Sequence, residues 1–195
     1  VGPNYPGPST YREIISQAER AANLAPDSPE PLLLLGQLLS HTGPVASEAN
    51  WVVRSAAALD RAITLDSSFT KAVEQRLYPA IQARDTQATR RYATLLEQRV
   101  AAGFNDNFML WVAARSLGDS AAAATWRNQL AGVRRTDYMQ AMTRLALHSA
   151  QFALPLAAAR WAASTLWREA RTAAERVAAY PADLAVRFAS GRSDM

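Results

Sequence analysis

The placement of the chain breaks constrains this sequence most. Its eight glycines and ten prolines gather at the start and in a few short interruptions, and between them run alanine-rich stretches poor in β-branched residues. Such stretches favour helix, because alanine loses no side-chain entropy there, and tight breaks are how helices are joined. With 49% hydrophobic and 19% charged residues the chain can build a core, which excludes a wholly disordered chain. The expectation is an all-α protein.

Residues 1–9 open with VGPNYPGP and read as a linker or extended arm. Ser9-Thr10 then offer a capping box for a helix running to Leu24, with Ile14, Ala18, Ala21 and Ala22 on one side. Ser28-Pro29-Glu30 starts a second helix, apolar nearly all round from Leu32 to Leu39, and His41-Thr42-Gly43-Pro44 is expected to stop it. Further helices are expected over Trp51–Leu65 (Val52, Ala56, Leu59 and Ile63 inward), Phe69–Ala83, Thr86–Ala101, Phe108–Ser116 and Ala121–Arg134, with a break from Gly103 to Asn107. Beyond Asp137 the pattern predicts one helix over Tyr138–His148. A long one follows from Pro155 to Tyr180, with Leu156, Ala159, Ala163, Leu166, Ala170, Ala173, Val177 and Tyr180 as a narrow packing seam. Residues 191–195 read as a tail.

The breaks recur. RAANLAPDS at Arg20–Ser28 is similar to RAITLDSSF at Arg61–Phe69, and the hairpin turns fall at Gly43, Arg84 and Gly118. The last interval is 34 residues; the first is longer by the insert GPVASEAN. A helix–turn–helix period of 34 is the tetratricopeptide value. AERAANLAPDSPEPLLLLGQLLSHTG resembles the junction of two such repeats, with Ala18, Ala21 and Pro26 at small-residue and terminal-proline positions, Leu35-Gly36 at the leucine-glycine pair and Gly43 at the turn. The resemblance is clear over residues 10–67 and fades afterwards: Trp111 falls near the tight glycine position of the third unit. It implies a right-handed α-solenoid, with TPR-like hairpins over residues 10–136 and C-terminal capping helices over 137–190.

Little points to catalysis. The absence of cysteine removes disulfides, thiolate chemistry and cysteine-bound zinc. His41 reads as satisfying the last carbonyls at a helix end and His148 has no acidic neighbour one turn away, no pair of converging carboxylates is suggested, and no phosphate loop or nucleophile elbow is present. No enzyme activity, metal or cofactor is expected. The net charge of +4 is carried almost wholly by arginine and is dispersed, so nucleic acid is a poor candidate partner. The apolar window Phe152–Trp167 is too short for a bilayer and holds Arg160, which reads as an ordinary helix rather than a membrane span.

Surfaces are the better candidates. The resemblance implies that the first helix of each pair lines a concave groove, which places Gln37, Lys71, Glu74, Tyr78, Phe108, Val112 and Arg115 on it. The lysine and asparagine pattern by which such repeats clamp chaperone carboxylates is not reproduced. On the last long helix Trp161 and Trp167 lie off the seam and about 120° apart, so one can cover a neighbouring helix while the other meets a partner. Trp167, beside Arg168 and Arg171, is the expected partner side. The expected function is a protein-interaction scaffold or assembly subunit binding a peptide or a subunit of a larger complex. The alternative is a TPR-like accessory region of a larger bacterial envelope membrane protein, such as a polysaccharide polymerase, ligase or export component. The Val1 start and the proline-rich opening favour a piece of something longer, periplasmic or membrane-associated.

Overall fold

A computed structural model describes residues 7–99, 104–132, 135–148, 154 and 156–189 of the chain. Among the described residues there are ten α-helices and no strand. They are α1 (Pro8–Leu24), α2 (Pro29–Ala46), α3 (Trp51–Leu65), α4 (Thr70–Gln82), α5 (Thr86–Glu97), α6 (Phe104–Ser116), α7 (Ser120–Ala131), α8 (Arg135–His148), α9 (Leu156–Glu169) and α10 (Ala173–Ala189). The chain divides into two compact units, Val1–Val100 and Ala101–Met195. The α6–α7 hairpin, expected to continue the repeats through residue 136, therefore belongs to the same unit as the C-terminal helices.

In unit one each helix packs on the next, and α2 also touches α4. The tightest contact is between α2 and α3. A Cβ on Gly36 would stand 2.8 Å from Leu59 Cδ2 and closer still to Cγ, and one on Gly43 would stand 2.7 Å from Trp51 Cβ. Between these two points Ser55 Oγ donates to the Gly36 carbonyl (2.8 Å) and lies 2.6 Å from Ser40 Oγ. Gly36, Ser40 and Gly43 thus form one small-residue face, against which Trp51, Ser55 and Leu59 settle. That close approach turns α3: Ser55, Ala58, Leu59 and Ala62 are buried, while Val52, Ala56 and Ile63, expected inward, are only half-buried.

The remaining polar groups of unit one close on one another. Asp60 of α3 accepts from Arg76 Nε of α4 (2.8 Å) and from the Tyr92 hydroxyl of α5 (2.5 Å). The Arg76 guanidinium lies over the Tyr92 ring, 4.9 Å from its centroid, and Arg91 lies 5.4 Å from it. Burial and then the Asp60 hydrogen bond raise the Tyr92 hydroxyl above its ordinary pKa. Arg54 pairs with Glu48 (2.6 Å) and with Glu19.

Turn geometry repeats along the chain. At the end of α4 the Arg84 and Asp85 amides donate to Ile81 and Ala80 (both 3.0 Å), with Arg84 left-handed at φ 55. At the end of α6 the Gly118 and Asp119 amides donate to Arg115 (3.2 Å) and Ala114 (2.9 Å), with Gly118 at φ 72. Asp85 and Asp119 then cap α5 and α7, each accepting at 2.9 Å from the amide of the third residue on, Ala88 and Ala122. The α1–α2 and α3–α4 joints also match: Ala25 and Asp66 donate to Ala21 and Ala62, and Ser28 and Phe69 donate to Ala25 and Asp66, all at 3.0–3.1 Å.

Several expected boundaries move. α1 begins at Pro8, which takes the first helical turn in place of the Ser9-Thr10 capping box. α2 does not stop at His41–Pro44; it runs to Ala46 and closes on left-handed Ser47, with Glu48 N–H donating to Gly43 (3.0 Å). Pro44 lies inside this last turn without an N–H to donate to Ser40, and Gly43 beside it lies against Trp51. α6 starts at Phe104 rather than after Asn107, with Asp106 favouring its N-terminal turn. The single helix expected over Pro155–Tyr180 is two. The break falls at Ala170–Thr172, where Thr172 and Glu175 form a capping box: Glu175 N–H donates to Thr172 Oγ1 and Thr172 N–H to Glu175 Oε2, both at 3.1 Å. The expected seam holds from Leu156 to Ala170 and then fails, for Ala173, Val177 and Tyr180 are exposed while Ala179, Ala182 and Val186 are buried. Most of the arm over 1–9, the tail over 191–195, Gly103, Pro155 and the His148 side chain lie outside the described residues.

Candidate partner-binding surfaces

The expected groove residues differ in exposure. Gln37 and Lys71 are half-buried, and Arg115 is exposed. Glu74, Tyr78, Phe108 and Val112 are buried. Glu74 takes Lys71 Nζ at 2.5 Å and Gln75 Nε2 at 3.2 Å, and Tyr78 meets His41 edge-on with ring centroids 5.0 Å apart. His41, expected at the end of α2, lies inside it, with its Nε2 3.3 Å from Gln75 Oε1. In unit two the Arg144 guanidinium lies 5.7 Å from the Phe108 ring centroid. Glu74, Tyr78, Phe108 and Val112 are thus used in packing.

Unit two has a different character. α6 and α7 form a hairpin, and α8, α9 and α10 pack on one another. Where α6 and α9 meet, Trp111 and Trp161 lie with ring centroids 5.5 Å apart and planes tilted by 40°. Beside them opens a cavity of about 320 Å³, lined by Trp111, Arg115, Ser120, Arg127, Trp161 and three alanines, Ala123, Ala124 and Ala158. Trp111 is 3% exposed and Trp161 half-buried, so the indoles form a wall rather than projecting into solvent. Arg115 sits one turn beyond Trp111 on α6 and Arg127 on the facing stretch of α7. Both are exposed, and among the described residues neither has a hydrogen-bond or ion-pair partner. Among the described residues no carboxylate lines the cavity.

This cleft joins residues from two separate candidate sets, Arg115 and Trp161. Arg127 and Ser120 carry no signal of their own in the sequence that would add them to either set. Their membership follows from the α6–α7 turn, which folds α7 back beside α6, and the only trace of it in the sequence is the Gly118-Asp119 stop and cap.

Trp167, Arg168 and Arg171 lie further along. Trp167 is 51% exposed and Arg168 is exposed, with its Nε 3.8 Å from Glu169. Arg171 is exposed, and its backbone N–H donates to Glu175 Oε2 (2.5 Å). The α9–α10 break is held by Arg135 of α8, which donates to the Glu169 carbonyl and pairs with Glu175 Oε1 through Nε (3.2 Å). Arg135, with the Arg171 and Thr172 amides, holds the Glu175 carboxyl down to a pKa of about 2. Burial, then Glu169, raises the Tyr138 hydroxyl.

Among the described residues no group of three or more acidic or histidine side chains converges as a metal site, and no helix is long and apolar enough to cross a membrane. No family model, curated protein or solved structure matches the chain.

Proposed function

We propose that this chain is a TPR-like helical-repeat scaffold, a right-handed solenoid in plan, that holds a protein partner through its second unit. The repeat reading is supported by the two matched turns at Arg84-Asp85 and Gly118-Asp119, 34 residues apart in sequence. One observation carries the binding role. Trp167 is 51% exposed, between the exposed Arg168 and Arg171, on a helix that packs inward through Ala158, Ala159, Ala162 and Ala163. A ring of that size left half in water gains much by being covered, and tryptophan with arginine is a common interface anchor.

Trp167→Ala tests it. Co-purification from the cells that make the protein should weaken by about 2 kcal/mol, while the melting curve of the isolated chain stays within about 0.5 kcal/mol of the parent. A lowered melting temperature with undiminished partner recovery would assign Trp167 to packing and end this reading.

A further inference from the structure

The cleft between α6, α7 and α9 has a composition that packing alone does not call for. Two guanidiniums enter one lining from different helices, and neither is met by a carboxylate or a carbonyl among the described residues. Arginines brought together without counter-charge raise a positive potential that favours an anion, and their planar forks suit carboxylate oxygens. Behind them stands an apolar wall of two indoles and three alanines. A ligand that satisfies both halves has an aromatic or aliphatic group beside negative charge.

We infer that this cleft binds a short acidic segment of a partner protein, with one aromatic side chain against Trp111 and Trp161 and flanking carboxylates on Arg115 and Arg127. The inference deepens the scaffold reading by naming what the second unit recognises, and it rests on that reading. The observations favour a peptide over single-stranded nucleic acid. A strand of bases needs open aromatic faces to stack on and a basic groove several nucleotides long. The cavity, at about 320 Å³ with two cations, has room for one side chain and its neighbours but not for a run of nucleotides. In an extended peptide, residues at alternate positions point to the same side, so the sequence acidic–any–aromatic–any–acidic presents all three groups to one cleft.

The probe is the blocked pentapeptide Ac-Glu-Gly-Phe-Gly-Glu-NH2, with its neutral twin Ac-Gln-Gly-Phe-Gly-Gln-NH2 and an oligouridylate as comparators. The readout is the indole N–H resonances of the full chain during titration. The acidic peptide should shift the Trp111 and Trp161 signals saturably, and the neutral twin should bind at least tenfold more weakly. The Arg115→Gln/Arg127→Gln double variant should lose at least tenfold for the acidic peptide alone, with its melting curve unchanged. Should the double variant melt early, Arg127→Lys serves instead: it keeps the charge and should retain most of the binding. Equal binding of the two peptides, undiminished binding by the double variant, or saturation by the oligouridylate alone would overturn the inference. Trp167→Ala should leave peptide binding intact. A cleft that binds no acidic peptide, in a chain whose partner is still lost on Trp167→Ala, would sink this inference and leave the scaffold reading standing.

Discussion

Arg76 in unit one and Arg115 in unit two are both helical arginines close to an aromatic residue, and they have opposite fates. Arg76 is 9% exposed, bound to Asp60 through two nitrogens (2.8 and 3.2 Å) and laid over Tyr92. Arg115 is exposed beside Trp111 with no partner among the described residues. Unit one packs glycine against leucine and tryptophan, and it closes Arg54, Lys71 and Arg76 on carboxylates. Unit two also pairs Arg135 with Glu175, but beside Trp111 and Trp161 it leaves a cavity that Arg115 and Arg127 line without a carboxylate among the described residues. A buried charge is stable only when paired, so Arg76 must be satisfied internally, whereas the exposed Arg115 stays free for a ligand.

The largest expected effect tests the tight half of that contrast. Gly36→Leu would push at least a Cβ into Leu59, and overpacking at such a site costs about 3 kcal/mol, more than the roughly 1 kcal/mol of helix propensity gained by losing a glycine. Denaturant unfolding followed by hydrogen exchange in α2 and α3 measures it. Unchanged protection there would show that the α2–α3 contact is not close.

Next is the polar lock. Asp60→Ala leaves Arg76 and the Tyr92 hydroxyl without their shared acceptor. Asp60 itself is 43% exposed, so solvent screens part of the loss, and about 2 kcal/mol is expected. The same denaturant curve reads it. A loss no larger than that of an ordinary surface carboxylate would dissolve the contrast between the units.

A smaller effect probes what the units share. Arg84 and Gly118 occupy the same left-handed turn position, and only glycine is at ease there. Arg84→Gly should stabilise α4–α5 and Gly118→Arg should destabilise α6–α7, each by about 1 kcal/mol. Hydrogen exchange at the two turns checks the pair; shifts of the same sign would mean the turns are not equivalent.

The smallest effect is a pH dependence confined to unit two. The folded-state pKa of Glu175 lies near 2, below its usual 4.5, so its contribution is fully present above pH 4.5 and is lost as pH falls from there through about 2. Amide exchange at the start of α10 should accelerate over that window, and Glu175→Gln should abolish the dependence. A profile unchanged by the substitution would assign the transition to other carboxylates.

Much of the fold was legible because local chemistry fixed it. Pro26, Pro29, Asp85 and Gly118-Asp119 end or start helices through bonds made within a few residues, and α1, α3, α5 and α7 lie close to their expected spans. The Thr172–Glu175 capping box was also present in the sequence, but the continuous three-four spacing of alanines across it suggested one helix. The candidate site was less legible. Trp161 and Arg115 stood out as an aromatic and a cation, yet nothing in their spacing linked them, since residues on α6 and α9 become neighbours only through packing.

By itself the sequence determined that this chain is helical, where most of its helices stop, and which turns recur at a fixed interval. Those outcomes follow from capping, proline and left-handed glycine, whose energies act over single turns. Only the tertiary structure decided the rest. It carried α2 through Pro44, with Gly43 lying against Trp51, and it rotated α3 so that Ser55 and Leu59 face Gly36. It buried Glu74 and Tyr78 while leaving Arg115 and Arg127 open beside two indoles. Burial and pairing are set by which distant residues arrive at the same place, and that depends on how closely the helices can approach.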